Sequence, residues 1–151
     1  MLTAIIDYGS GNLHSAFKAF ERVAADENAG KVLVTSDPAI VLKADRVVLP
    51  GNGAFPSCRQ ALVNSSVYDA LKELVEIKKR PFLGICVGMQ LMAKEGYEYT
   101  VTKGLGWING EVRRIVTDDE SLKVPHMGWN DLVLNRDHFV LNAISNGDHT
   151  Y

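Results

Sequence analysis

The chain has 151 residues, which suits one ordinary domain with a buried core. Hydrophobic residues make up 46% of it and charged residues 23%, a balance typical of a globular protein. The formal net charge is -2 and the Lys and Arg residues are scattered, so we expect no nucleic-acid partner.

The apolar runs are far too short to cross a bilayer, so we expect no membrane association. The N-terminus lacks the basic and cleavage regions of a signal peptide. The only two cysteines, Cys58 and Cys86, lie in different contexts and indicate no disulfide framework. These features together predict a cytoplasmic protein.

Four short apolar runs predict strands at residues 2–6, 32–34, 46–49 and 82–85. Apolar residues at helical spacing fall between them, and Asp37-Pro38 has the form of a helix start. The first helical stripe consists of Leu13, Ala16, Phe17, Phe20, Val23 and Ala24, and a later one of Val67, Ala70, Leu71, Leu74 and Val75. This alternation predicts an α/β fold with a mainly parallel open sheet, flanking helices and the 82–85 strand away from an exposed edge.

The pattern changes after Gly96, where short strands and turns are expected at residues 104–107, 111–116 and 131–134. No internal repeat or linker separates this part from the first. We therefore expect residues 1–151 to pack as one domain.

The most specific local pattern is Gly84-Ile85-Cys86-Val87-Gly88, where the fourth predicted strand ends. Glycines on either side of a nucleophile are typical of a nucleophile elbow, a tight turn between a strand and a helix. Such a turn exposes the Cys86 side chain near the first helical amides, which favours the thiolate and places the Val87 amide to bind an oxyanion. The same pentapeptide also suits a buried cysteine between packing glycines. The apolar helix expected after Val87 favours the nucleophile.

A second glycine-rich loop, Pro50-Gly51-Asn52-Gly53, follows the third predicted strand. Ligands of open α/β sheets bind at the carboxyl ends of strands, so this loop and Cys86 are expected to border one pocket. Glycines there let backbone amides approach an oxyanion. Taken alone, the loop is better interpreted as an ordinary turn between a strand and a helix.

Taken together, these two motifs resemble those of class I (triad-type) glutamine amidotransferases. Within that family the chain is similar to the glutaminase subunits of imidazole glycerol phosphate synthase, on segments 6–13, 105–107 and 125–130. The resemblance covers essentially the whole chain in the same order. It implies a flavodoxin-like fold and a glutamine amidotransferase domain that is incomplete at its C-terminus.

The resemblance also implies a role for each matching residue. Cys86 would attack the side-chain amide of L-glutamine, giving a thioester and ammonia. Gln90, one helical turn later, would help to hold the substrate. The residues implied to supply amides to the oxyanion are Val87, Gly51, Asn52 and Gly53, and the family usually has an aliphatic residue where this chain has Asn52.

Partner contacts are implied for Asn12, Met127 and Trp129. The partner would be a (β/α)8 synthase subunit in a heterodimer of histidine biosynthesis. Ammonia would be channelled through it to a phosphoribulosyl formimino carboxamide ribotide. The products would be imidazole glycerol phosphate and an aminoimidazole carboxamide ribotide.

One departure concerns the catalytic base. The family takes its catalytic histidine and glutamate from a Phe-His-Pro-Glu type segment, and these 151 residues contain no such segment. The sequence therefore predicts a truncated chain that lacks the base. The four histidines present are His14, His126, His138 and His149, and none is expected to replace it.

We expect no metal and no cofactor. No Cys or His pair has the spacing of metal ligands, and Gly9-Ser10-Gly11 lacks the third glycine of a dinucleotide-binding motif. Two alternatives to a glutaminase remain open, namely a catalytically inactive docking subunit and a cysteine hydrolase of similar fold.

Overall fold

The computed structural model describes residues 1–119 and 121–151, which form two compact units, Met1–Arg114 and Ile115–Tyr151. The strands are β1 Leu2–Ile6, β2 Lys31–Thr35, β3 Arg46–Leu49, β4 Phe82–Gly84, β5 Ala93–Gly96, β6 Thr102–Lys103, β7 Ile108–Val112, β8 Asn130–Asp131 and β9 His149–Thr150. The helices are α1 Leu13–Asp26, α2 Pro38–Val41, α3 Phe55–Asn64, α4 Tyr68–Lys72 and α5 Val87–Gln90. The expectation of one domain over residues 1–151 stays a prediction.

The first unit is built on a four-stranded parallel sheet in the order β2-β1-β3-β4. Helices connect the strands, so the predicted fold class is confirmed. The expected place of the fourth strand is wrong, because β4 is an edge strand of this sheet and its Leu83 is half exposed. An apolar run predicts a strand, but its neighbours depend on pairings that the local pattern does not contain.

The core lies against one face of this sheet. Alternate strand residues such as Ile6 and Leu49 point into it, as the two-residue repeat of a strand requires. They pack against side chains of α2, α3, α4 and α5, including Val41, Leu62 and Leu71. The first helix has no fully buried residue, and Val23, expected on its apolar stripe, is 58% exposed.

Local capping accounts for several helix boundaries. The Asp37 carboxylate accepts the Ala39 amide at 2.8 Å, which confirms the predicted start of α2. The helix α3 was not predicted, although Pro56 lies in its first turn. No side chain caps the start of α4, and the nearby Ser65 hydroxyl instead donates to the Leu62 carbonyl at the end of α3. Beyond α4 the chain continues as a π-helical segment, Glu73–Ile77.

A second sheet in the first unit has the order β6-β5-β7, with β5 and β7 parallel. The expected strand at 111–116 is thus observed earlier, as β7. In the second unit, β8 pairs antiparallel with β9, and a 3-10 turn covers Phe139–Leu141. Among the described residues, no helix is long and apolar enough to cross a membrane.

Candidate active site

Cys86 forms the turn between β4 and α5. Its backbone has φ 55° and ψ -118°, a conformation that non-glycine residues rarely adopt, and its side chain is exposed. The predicted strained turn is therefore confirmed. Strain of this kind persists only where the surrounding structure holds it, and it is common at functional sites. The elbow presents the thiol at the end of the sheet.

Close packing of α5 on the end of β3 holds the elbow. A Cβ atom placed on Gly88 would lie 1.8 Å from the Leu49 carbonyl oxygen, so only glycine fits there. The Ile85 amide continues the strand pairing by donating to the same oxygen at 3.0 Å. The helix is shorter than expected, since it ends at Gln90. The helix dipole whose positive end lies near Cys86 therefore comes from a single helical turn.

The loop after β3 lies directly against this elbow. A Cβ atom on Gly51 would come within 2.6 Å of the Gly88 nitrogen and 2.9 Å of the Val87 Cβ atom. The two glycine-rich loops predicted to border one pocket are thus adjacent. The two backbones approach closely because Gly51 and Gly88 carry no side chain there.

This arrangement fixes the positions of the predicted oxyanion donors and of Gln90. Val87 is the first residue of α5, where an amide has no carbonyl acceptor within the helix. Gln90 lies one turn beyond Cys86, and its backbone N–H donates to the Cys86 carbonyl at 3.1 Å. The two predicted sources of oxyanion donors, the Val87 amide and the 51–53 loop, therefore lie side by side next to the Cys86 turn. The roles of Val87, Gln90 and the 51–53 loop remain predictions.

Ser10, to which no sequence motif assigns a role, lies against the 51–53 loop of this site. Its hydroxyl accepts the Asn52 amide at 3.0 Å and donates to the Asn52 carbonyl at 2.8 Å. The buried Cys58 thiol lies 3.3 Å from the same hydroxyl. Ser10 is 42 residues from Asn52 and 48 from Cys58, so no local pattern could have predicted these contacts.

The Tyr8 side chain lies against the 51–53 loop. The residue is only 6% exposed, and within the described residues its hydroxyl has no hydrogen-bond partner. A Cβ atom on Gly51 would lie 3.0 Å from that hydroxyl. Burial raises the pKa of Tyr8 to about 12. The side chain is therefore neutral at physiological pH.

The residues expected to contact a partner are on the surface. Asn12 caps α1 by accepting the Ser15 amide at 3.2 Å, and it is exposed. In the second unit, Met127 is 69% exposed and Trp129 71% exposed. Trp129 packs edge to face on Tyr151, with ring centroids 5.6 Å apart. The predicted exposure of Met127 and Trp129 is observed, and their docking role stays a prediction.

The second unit also contains a histidine–carboxylate pair. His149 Nε2 lies 3.0 Å from Asp131 Oδ1 across the β8–β9 ladder, and both side chains are exposed. His126 contacts the side-chain amide of Asn130, and His138 accepts the Val140 amide. Each of these histidines thus has a structural partner of its own.

Comparison with known proteins identifies the family. Residues 4–151 match the family described as glutamine amidotransferase class-I. The chain is 60% identical to an imidazole glycerol phosphate synthase subunit HisH from Ruegeria pomeroyi, over 100% of this chain and 72% of that protein. It is 57% identical to a protein of the same name from Cereibacter sphaeroides and 54% identical to one from Rhodospirillum rubrum, with the same coverage. The chain therefore belongs to the class I glutamine amidotransferases and, within them, to the HisH subunits of imidazole glycerol phosphate synthase.

Proposed function

We propose that this chain is the glutaminase subunit of an imidazole glycerol phosphate synthase in the cytoplasm. Cys86 attacks the side-chain carbonyl of L-glutamine, so a C–S bond forms and the C–N bond then breaks to release ammonia. The observation that carries the proposal is the exposed thiol at a strained strand-to-helix turn, with a second glycine-rich loop against it.

The partner is a (β/α)8 synthase subunit that receives the ammonia. It forms imidazole glycerol phosphate and an aminoimidazole carboxamide ribotide, in the biosynthesis of histidine. Exposed Met127 and Trp129 support a docking surface, since large apolar side chains at a surface are common in protein interfaces.

The reaction needs a proton donor for ammonia and a base for the water that hydrolyses the thioester. In the family a histidine held by a glutamate performs both steps, in a Phe-His-Pro-Glu type segment that these 151 residues do not contain. Losing such a group costs a factor of about 10² to 10⁴ in rate. We therefore expect a polypeptide of these 151 residues alone to turn glutamine over at a greatly reduced rate.

Covalent labelling tests the role of Cys86 without turnover. A chloroketone analogue of L-glutamine should alkylate Cys86, and excess L-glutamine should slow that labelling while L-asparagine should not. Iodoacetamide should also label exposed Cys86 and spare buried Cys58, with Cys86→Ser as the control. Labelling that L-glutamine does not slow would contradict a glutamine site at Cys86.

A further inference from the structure

The Tyr8 hydroxyl lies next to the start of the helix that follows Cys86. A Cβ atom on Gly51 would lie 3.0 Å from this hydroxyl. The same atom would lie 2.6 Å from the Gly88 nitrogen and 2.9 Å from the Val87 Cβ atom. These groups therefore surround one point, and Val87 and Gly88 are the first two residues of α5. The phenol of Tyr8 is thus a close neighbour of the elbow that carries the nucleophile.

The proton of this hydroxyl is not shared. Tyr8 is 6% exposed, and within the described residues its hydroxyl forms no hydrogen bond. Its polar neighbours donate elsewhere, because the Ser10 hydroxyl and the Cys58 thiol both bind the Asn52 carbonyl. A hydroxyl rotates about its C–O bond, so a proton that is bound to no acceptor turns toward the most negative potential nearby.

Charge at Cys86 is felt at this hydroxyl. Burial is the largest cause of the raised pKa of Tyr8, and charge on Cys86 adds to the rise. This interaction is mutual, so the Tyr8 dipole also acts on a charge at Cys86. The field of an O–H dipole is weakly screened in a buried environment. The other titratable side chain that acts on Tyr8 is Cys58 of α3.

We infer that Tyr8 is a positioning residue whose unshared hydroxyl turns its proton toward the elbow and stabilises negative charge on the Cys86 sulfur. The inference rests on the proposed function, in which the Cys86 thiolate is the nucleophile. It gives a reason for a buried hydroxyl that costs stability, since phenylalanine would fill the same space without that cost. Tyr8→Phe should therefore gain stability and lose reactivity at Cys86.

The pH profile of iodoacetamide alkylation at Cys86, followed by mass spectrometry, tests the inference. Tyr8 keeps its proton in the folded chain over the range of about pH 6 to 10, because its pKa is about 12. We expect Tyr8→Phe to move the midpoint of the profile upward by about 0.3 to 0.7 pH unit, the size of other dipole effects on a charge. Below the midpoint, this shift means a thiolate fraction lower by about twofold to fivefold.

The limiting alkylation rate at high pH distinguishes an electrostatic role from a merely structural one. It should stay within about twofold in Tyr8→Phe, because the nucleophilicity of a thiolate depends only weakly on its basicity. A structural role would change this rate, through the exposure of Cys86, and leave the midpoint in place. An unchanged or lowered midpoint in Tyr8→Phe would overturn the inference.

Two control variants should keep the original midpoint. Tyr99→Phe removes the hydroxyl of a tyrosine that is 87% exposed. Cys58→Ser removes the other titratable neighbour of Tyr8 and leaves Cys86 as the only thiol. A midpoint that moves as far in Tyr99→Phe as in Tyr8→Phe would also overturn the inference, because the shift would not depend on the buried hydroxyl.

Protection by L-glutamine separates a failure of the inference from a failure of the proposed function. If L-glutamine slows chloroketone labelling of Cys86 while Tyr8→Phe keeps the original midpoint, the inference alone is wrong. If L-glutamine gives no protection while the midpoint shifts as expected, the glutamine site is wrong and the effect of Tyr8 on Cys86 is supported.

Discussion

At the scale of single residues, the site depends on side chains whose environment departs from the ordinary. Cys86 has a positive φ on a non-glycine residue, and Tyr8 buries a hydroxyl without a partner among the described residues. An unpartnered buried hydroxyl costs about 1 to 3 kcal/mol of stability. Such costs are tolerated where the arrangement serves another purpose, and here the Tyr8 hydroxyl and the residues that follow Cys86 both lie against Gly51.

The effect of pH on stability tests the account of Tyr8. Burial raises the pKa of Tyr8 from 10.0 in the unfolded chain to about 12 in the folded chain. Below pH 10 both states keep the phenol proton, so the free energy of unfolding does not depend on this group. As pH rises from 10 to about 12 the unfolded state ionises more readily, and the folded state loses stability. A shift of that size corresponds to at most about 2 to 3 kcal/mol, and screening by solvent makes the loss of stability smaller. Urea unfolding of Tyr8→Phe should show about 1 kcal/mol more stability at neutral pH.

The same unfolding measurements at a series of pH values distinguish Tyr8 from an exposed tyrosine. The original chain should lose stability relative to Tyr8→Phe between pH 10 and about 12, while Tyr99→Phe, at an exposed tyrosine, should follow the original chain. Parallel stability curves for the original chain and Tyr8→Phe would contradict the burial of an un-ionised hydroxyl.

At the scale of elements, the site exists because α5 packs on the end of β3 without an intervening side chain. Gly88→Ala would place a methyl group 1.8 Å from the Leu49 carbonyl oxygen. Overpacking of a buried contact costs about 1 to 3 kcal/mol or more. We expect Gly88→Ala to lower the urea midpoint accordingly and to reduce alkylation of Cys86.

Gly110→Ala is the control for this change. Gly110 lies in β7, and the nearest contact of an added Cβ atom there is Ile108 Cγ2 at 3.8 Å. Its stability should stay within about 0.5 kcal/mol of the original. If the two alanine variants were equally stable, the packing of α5 on β3 would not be what holds the elbow.

The elements also show what the sequence can predict. The motif around Cys86 and the strands of the parallel sheet were predicted, because strand–turn–helix patterns are local. The edge position of β4 was not predicted, since the neighbours of a strand depend on tertiary pairing. The helix α3 was missed although Phe55, Cys58 and Leu62 repeat at helical spacing and Pro56 marks its start. The Ser10–Asn52 bonds join residues 42 positions apart and leave no local pattern.

At the scale of the whole molecule, the proposed activity depends on a partner. Trp129→Ala should weaken binding to the (β/α)8 subunit by tenfold or more, because exposed tryptophans at interfaces are frequent hot spots. Phe139→Ala, at another exposed aromatic residue of the same unit, is the matched control and should bind normally. Unchanged circular dichroism would show that both variants keep the fold. An unaltered dissociation constant for Trp129→Ala would count against the docking surface.

Glutamate release tests the central claim most directly. The 151-residue chain should be compared with a chimera that appends the C-terminal segment of the Ruegeria pomeroyi relative, with synthase partner and nucleotide ligand present. We predict that the chimera releases glutamate, that Cys86→Ala in the chimera abolishes release, and that the 151-residue chain is slower by a factor of at least about 10². A chimera whose activity survives Cys86→Ala, or a 151-residue chain as fast as the chimera, would contradict the account.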